Sequence, residues 1–126
     1  MRVITIMPDF GLGPYAWQRG EGLIADAVTG FRLSEFKVSP ELEAEFADWI
    51  DWFGGGALNP DFSWQAFHWL GIDLSRKLKA ELGDQARVIY CKPLEDPACW
   101  TAPDVEIEIL DDGTLKPIKR RRWANS

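Results

Sequence analysis

The chain has 126 residues, 46% of them apolar, with 14 Lys/Arg against 20 Asp/Glu. That length and balance predict one globular domain whose core needs neither disulfide nor metal, and they argue against disorder. The formal net charge of −6 disfavours DNA and anionic membrane and favours a basic partner, because a summed field steers opposite charges together; taken alone, such a charge also serves solubility.

The charge is unevenly placed. All 20 acids lie in residues 1–115, and residues 116–126 carry five bases and no acid. Between Val38 and Ser75 there are seven acids, no Lys or Arg, and four of the seven Trp residues, Trp49, Trp52, Trp64 and Trp69.

From the N-terminus, Arg2–Met7 is a β-branched apolar run closed by Pro8, which predicts a buried strand. It is too short for the apolar core of a signal peptide, and no run approaches membrane-spanning length, so the expected location is the cytoplasm. The stretch Pro8–Trp17 holds two prolines and two glycines and reads as an irregular loop. Gly11-x-Gly13-x-x-Ala16 fits a dinucleotide fingerprint only loosely, since Pro14 interrupts the turn and the chain lacks room for two mononucleotide halves. Leu23–Val28 fits either a short helix or a strand, and a further strand is expected near Phe31–Val38.

Ser39 is a suitable N-cap, Pro40 suits the first helical position, and Glu41 and Glu43 complement the helix dipole. Leu42, Phe46, Trp49, Ile50 and Phe53 then mark one helical face, and Gly54-Gly55-Gly56 is expected to stop the helix. Glu41, Glu45, Asp48 and Trp52 form a second stripe, about a quarter turn from the first at ~100° per residue. Trp52 should therefore sit at the rim of the core beside carboxylates. Asn59-Pro60-Asp61 signals a second helix, capped by Asn59 or Ser63. Its expected core stripe is Phe62, Ala66, Leu70, Leu74, Leu78 and Leu82, widened by Phe67, with Gly83 closing it and Arg76, Lys77 and Lys79 toward its end. Gly71 lies in mid-helix, where glycine costs about 1 kcal/mol relative to Ala; close packing of another element, or a kink, is expected there.

Arg87–Cys91 reads as a central strand. Val105–Leu110 alternates in a way that predicts one buried and one wet face. Asp111-Asp112-Gly113 is a hairpin turn, and Thr114–Ile118 returns as an edge strand because Pro117 cannot donate to a ladder. The fold expected is α+β: a mainly antiparallel sheet of four to five strands with two long helices packed on one face.

Little of this spells chemistry. His68 is the only histidine, and with Leu70 in the core it should point sideways, a satisfied structural or surface residue from which the sequence assembles no acid–base pair. Cys91 and Cys99 have no CxxC spacing and no metal-ligand context, so free thiols are expected. The acids of 41–61 lack the ligand order of a calcium loop. No metal or cofactor is expected. Asp9, just after the first strand, is a usual catalytic position in α/β enzymes, but alone it more often caps a loop. The basic tail Lys116–Arg122 could bind nucleic acid weakly, yet the acidic body would repel phosphate. A solvated end, or docking on the acidic helices, is the simpler reading.

Two blocks carry a resemblance. Ile6-Met7-Pro8-Asp9-Phe10-Gly11-x-Gly13-Pro14-Tyr15-Ala16-Trp17 is one; Phe62-x-Trp64-x-x-Phe67-x-x-x-Gly71-x-x-Leu74, followed by a basic helical turn and Val88-Ile89-Tyr90, is the other. Together they span about a third of the chain and resemble immunity proteins of contact-dependent growth inhibition systems, encoded beside polymorphic toxins. The resemblance implies a cytosolic, non-enzymatic protein that binds the C-terminal domain of a cognate toxin, often a basic nuclease, and occludes its active site. It supplies no catalytic residues. The acid-rich window points the same way, with Glu41, Glu45, Asp48, Asp51, Trp52 and Asp61 as the expected partner-binding residues. Two other functions stay open: a small enzyme using the Asp9–Trp17 loop, and a weak nucleic-acid-binding module using the tail.

Overall fold

The computed structural model describes residues 2–8, 15–19, 28–31, 36, 38–57, 59–93, 96 and 106–118. In chain order these form β1 (Arg2–Ile6), β2 (Ala16–Arg19), β3 (Val28–Phe31), α1 (Pro40–Gly56), α2 (Trp64–Leu82), β4 (Ala86–Cys91), β5 (Glu106–Ile109) and β6 (Leu115–Ile118). The six strands make one sheet in the order β3-β2-β1-β4-β5-β6. Only β1 and β4 run parallel; every other pairing is antiparallel. The architecture is the α+β arrangement expected, with both helices packed against a mostly antiparallel sheet and the Pro117 strand at an edge.

Strand alternation sorts the sheet into two faces. The register aligns Ile4, Val88, Ile109 and Leu115 in one row and Ile6, Tyr90 and Ile107 in the next. These rows, with Ala16 and Ala86, meet the helices and make the core with Phe46, Trp49, Phe53, Phe67, Leu74, Leu78 and Leu82. On the opposite face Thr5, Ile89, Cys91 and Glu106 are also buried. Glu106 thus departs from the expected wet side of β5. Glu108, next along that face, is held by a two-bond fork from Arg87 on β4, at 2.8 Å each.

Several local expectations are corrected. A strand, β2, occupies Ala16–Arg19 where an irregular loop was expected to continue through Trp17; residues 9–14 of that loop lie outside the described residues. The Trp17 indole N–H donates to the Met7 carbonyl at 2.9 Å, fastening β2 to the end of β1. The third strand is Val28–Phe31; of the strand expected near Phe31–Val38, residues 32–35 and 37 lie outside the described residues, and Val38 is a buried residue before α1. Residues 23–27 and Cys99 are also outside the described residues. The three glycines do not stop α1. They are its last turn, and the N–H of Ala57 continues the helical pattern to the Phe53 carbonyl. α2 starts at Trp64, with Ser63 and not Asn59 as its cap.

The stripe of α2 also differs. Ala66 and Leu70 are exposed, and the buried line is Phe67, Gly71, Leu74, Leu78 and Leu82, flanked by His68, Ile72, Ser75 and Lys79. A repeat of four drifts by ~40° per step on a helix of 3.6 residues per turn, so a run of fours cannot stay on one face for five steps. Because the true face is rotated, His68 is buried and not lateral.

The helices run antiparallel. Ser39 at the start of α1 bonds Glu81 at the end of α2 through both its N–H and its hydroxyl, each at 2.7 Å. At the other end Trp49 stacks on Phe67, with ring centroids 4.6 Å apart, and donates its indole N–H to the Phe67 carbonyl. α2 is tied to the sheet by buried Lys79. Its Nζ donates to the Gly83 and Ala86 carbonyls and pairs with Asp111 at 3.1 Å. Arg76 reaches the Gly113 carbonyl in the β5–β6 turn, where Gly113 takes the positive φ that glycine favours.

Gly71 marks the closest approach. A Cβ there would lie 2.5 Å from Tyr90 Cε1 and 2.6 Å from Trp49 Cζ2, so the packing explanation holds. Both rings are fully buried and have little room to yield. Gly71→Ala gains about 1 kcal/mol of helix propensity, but overpacking of this kind costs about 1–3 kcal/mol or more. The contacts fall so far below van der Waals distance that the cost should win. Urea unfolding is expected to show a lower midpoint; a raised one would contradict the packing at this junction.

Candidate functional site

α1 places its charge where the sequence pattern predicts. Glu41, Glu45, Asp48, Asp51 and Trp52 are all exposed, and so is Asp61 in the turn before α2. The apolar residues Leu42, Phe46, Trp49 and Phe53 turn the opposite side of the helix inward, and that burial fixes which side chains face solvent. Of the six, Glu45 differs from expectation. Lys77, on the next helix, reaches it at 3.0 Å, so its charge is partly answered from outside the base-free window. Asp48, Asp51 and Asp61 form no hydrogen bond or ion pair through their side chains among the described residues.

Trp52 sits at the rim of the core. It is 38% exposed, and its ring packs against Phe62 and Phe67 at centroid distances of 5.3 and 5.4 Å. Two residues were missed by the sequence reading: Trp69, 56% exposed, and Leu70, 41% exposed. A helical wheel anchored on Phe67 and Gly71 would have placed both outside, but an i+4 count anchored on Phe62 does not.

The structure also assembles a buried polar chain. His68 Nδ1 lies 2.6 Å from the Tyr90 hydroxyl, and its Nε2 lies 2.6 Å from Asp96 Oδ2. With Asp96 as carboxylate, Nε2–H donates to it and Nδ1 accepts from the Tyr90 hydroxyl. Trp64 covers the imidazole in a stacked pose. This links α2, β4 and the segment after β4. All three of its members are buried.

An open cleft of about 580 Å³ lies where the start of β4 meets the β5–β6 hairpin, lined by Lys79, Asp84, Arg87 and residues 108–112. Its cations are committed, Lys79 to Asp111 and Arg87 to Glu108. The hydrogen bond from Arg87 holds the Glu108 carboxyl below its ordinary range. Among the described residues, no group of three or more His, Cys, Asp or Glu could hold a metal, and no helix is long and apolar enough to cross a membrane. Asp9 and the tail residues 119–126 lie outside the described residues. No protein-family model matches the chain, and no curated protein or solved structure matches it either.

Both tyrosines of the chain report on this packing. Burial pushes the Tyr15 phenol up to about 12, aided by Glu43, and burial pushes Tyr90 well above its ordinary value, aided by Cys91 and Asp96. Stability that depends on neutral phenols is complete below 10.0 and is lost as the pH climbs through about 12. A tyrosinate absorbance titration is expected to stay flat through pH 10.0 in the folded chain and to rise only near 12 or on unfolding. A phenolate appearing near 10 while the chain remains folded would contradict the buried placement.

Proposed function

We propose that the chain is a cytoplasmic immunity protein that binds a cognate toxin's C-terminal domain, a basic nuclease domain, and neutralises it by covering its active site. It acts by occlusion and not by chemistry. The observation that carries this reading is the solvent face of α1: four exposed acids, Glu41, Glu45, Asp48 and Asp51, on a helix with no base of its own, next to a half-exposed tryptophan. Rim carboxylates raise association rates with a basic protein, and tryptophan is a preferred anchor at interfaces. The resemblance of the two sequence blocks supports the same function.

The test is calorimetric titration against the C-terminal domain encoded immediately upstream. One-to-one binding at nanomolar affinity or tighter is expected. The triple variant Asp48→Lys, Asp51→Lys, Asp61→Lys touches no ion pair among the described residues. Each reversal replaces an attraction of up to about 1 kcal/mol by a similar repulsion, so affinity should fall by about 10²-fold or more with the thermal midpoint nearly unchanged. Unaltered affinity would remove this face from the interface. An absence of binding by the native chain at micromolar concentrations would remove the immunity function for that pair.

A further inference from the structure

We propose that the outward seam between α1 and α2 is a groove for a cationic amphipathic helix of the partner, seated on Trp52, Leu70 and Trp69. The inference rests on the partner reading above and adds what the partner must present. Three of the four large apolar residues that the described structure exposes lie on this one helical pair. They are also aligned. Glu45 and Lys77 meet across the antiparallel seam. Trp52 lies seven residues after Glu45 and Leu70 seven residues before Lys77, so two turns along the seam the tryptophan and the leucine face each other. Trp69 continues the apolar surface around α2.

The floor between them is low. Ala66, one turn before Leu70, is exposed, and at Gly55, on the Trp52 side of α1, a Cβ would meet nothing within 4 Å. A helix can therefore approach the seam closely. The rim selects the sign of the occupant: Asp48 stands one turn from Trp52, and α1 has no base. A second copy of this chain would set acid against acid. A basic coil without apolar side chains would answer the carboxylates and leave the tryptophans and Leu70 wet. An amphipathic helix with apolar residues at i, i+3 or i+4 and i+7, flanked by Lys and Arg, satisfies both features.

The probe is a synthetic Leu/Lys peptide of about four turns patterned at the helical period, set against the same residues in scrambled order. Binding is followed by tryptophan fluorescence in about 0.05 M and about 0.5 M NaCl, where charge contributions are respectively strong and screened. The patterned peptide should bind at least about tenfold more tightly than the scrambled one. The double variant Trp69→Gln, Leu70→Gln, at exposed and helix-tolerant positions, should lose that preference at both salt concentrations with its thermal midpoint retained. Equal binding of the two peptides, or a preference that survives the double variant, overturns the proposal. The toxin domain, titrated separately, keeps the two readings apart. Should the acid triple variant weaken it while the double variant does not, the groove is wrong and the immunity reading stands. Patterned-peptide binding without toxin binding supports the groove and removes the toxin.

Discussion

The structure depends on what Gly71 lacks. Without a side chain at that position, the backbone of α2 comes within contact of two buried rings, Trp49 from α1 and Tyr90 from β4. One helix, its partner and the central part of the sheet thus meet at a single residue. Around this junction the polar ends of the rings are answered: Trp49 donates to the Phe67 carbonyl, and the Tyr90 hydroxyl bonds His68, which in turn bonds Asp96. A bulky aromatic core is stable only if such N–H and O–H groups find partners, and here the partners lie on the elements being joined. Helix propensity is given up in mid-helix in exchange for that approach.

The rotation of both helices follows from this contact. With Trp49 and Gly71 turned inward, Glu41, Glu45, Asp48 and Trp52 must face out on α1, and Ala66, Leu70 and Lys77 must face out beside them on α2. Lys77 moderates the charge by pairing with Glu45, but Asp48, Asp51 and Asp61 keep theirs. The surface that results joins acid and aromatic groups on a rigid helical pair anchored by Lys79, Arg76 and the Ser39–Glu81 bonds. A preorganised surface binds with less ordering cost than a loop would, which favours this surface over the connections of the sheet for the proposed binding.

Much of this was legible in the residues. α1 declared itself through Ser39, Pro40 and a clean apolar face, and the β5–β6 hairpin through its Asp-Asp-Gly turn. α2 declared its existence but not its rotation. The leucines recur every four residues, and only the close contact at Gly71, a long-range fact, selects which part of that drifting line is buried. His68 is the satisfied structural histidine expected, but its inward direction was hidden for the same reason: its partners Tyr90 and Asp96 are 22 and 28 residues away, and no local spacing announces them. β2 was hidden by the prolines and glycines before it, since its pairing to β1 and β3 is itself non-local. Glu106 in β5 reads as a wet residue by type; burial of that face is a tertiary property. The acidic half of the candidate site was visible, because charge and helical period are local. Its apolar half, Leu70 and Trp69, became visible only once α2 was correctly turned.

The most direct measurement is hydroxyl-radical footprinting of the side chains, for the chain alone and with the toxin domain encoded upstream. The account predicts that Trp52, Trp69 and Leu70 lose reactivity in the complex, while Leu110 on the far hairpin, exposed in the free chain, keeps its own. Protection of Leu110 or the Pro117 edge, with Trp52, Trp69 and Leu70 as reactive as before, would contradict the assignment of the interface to the helical face.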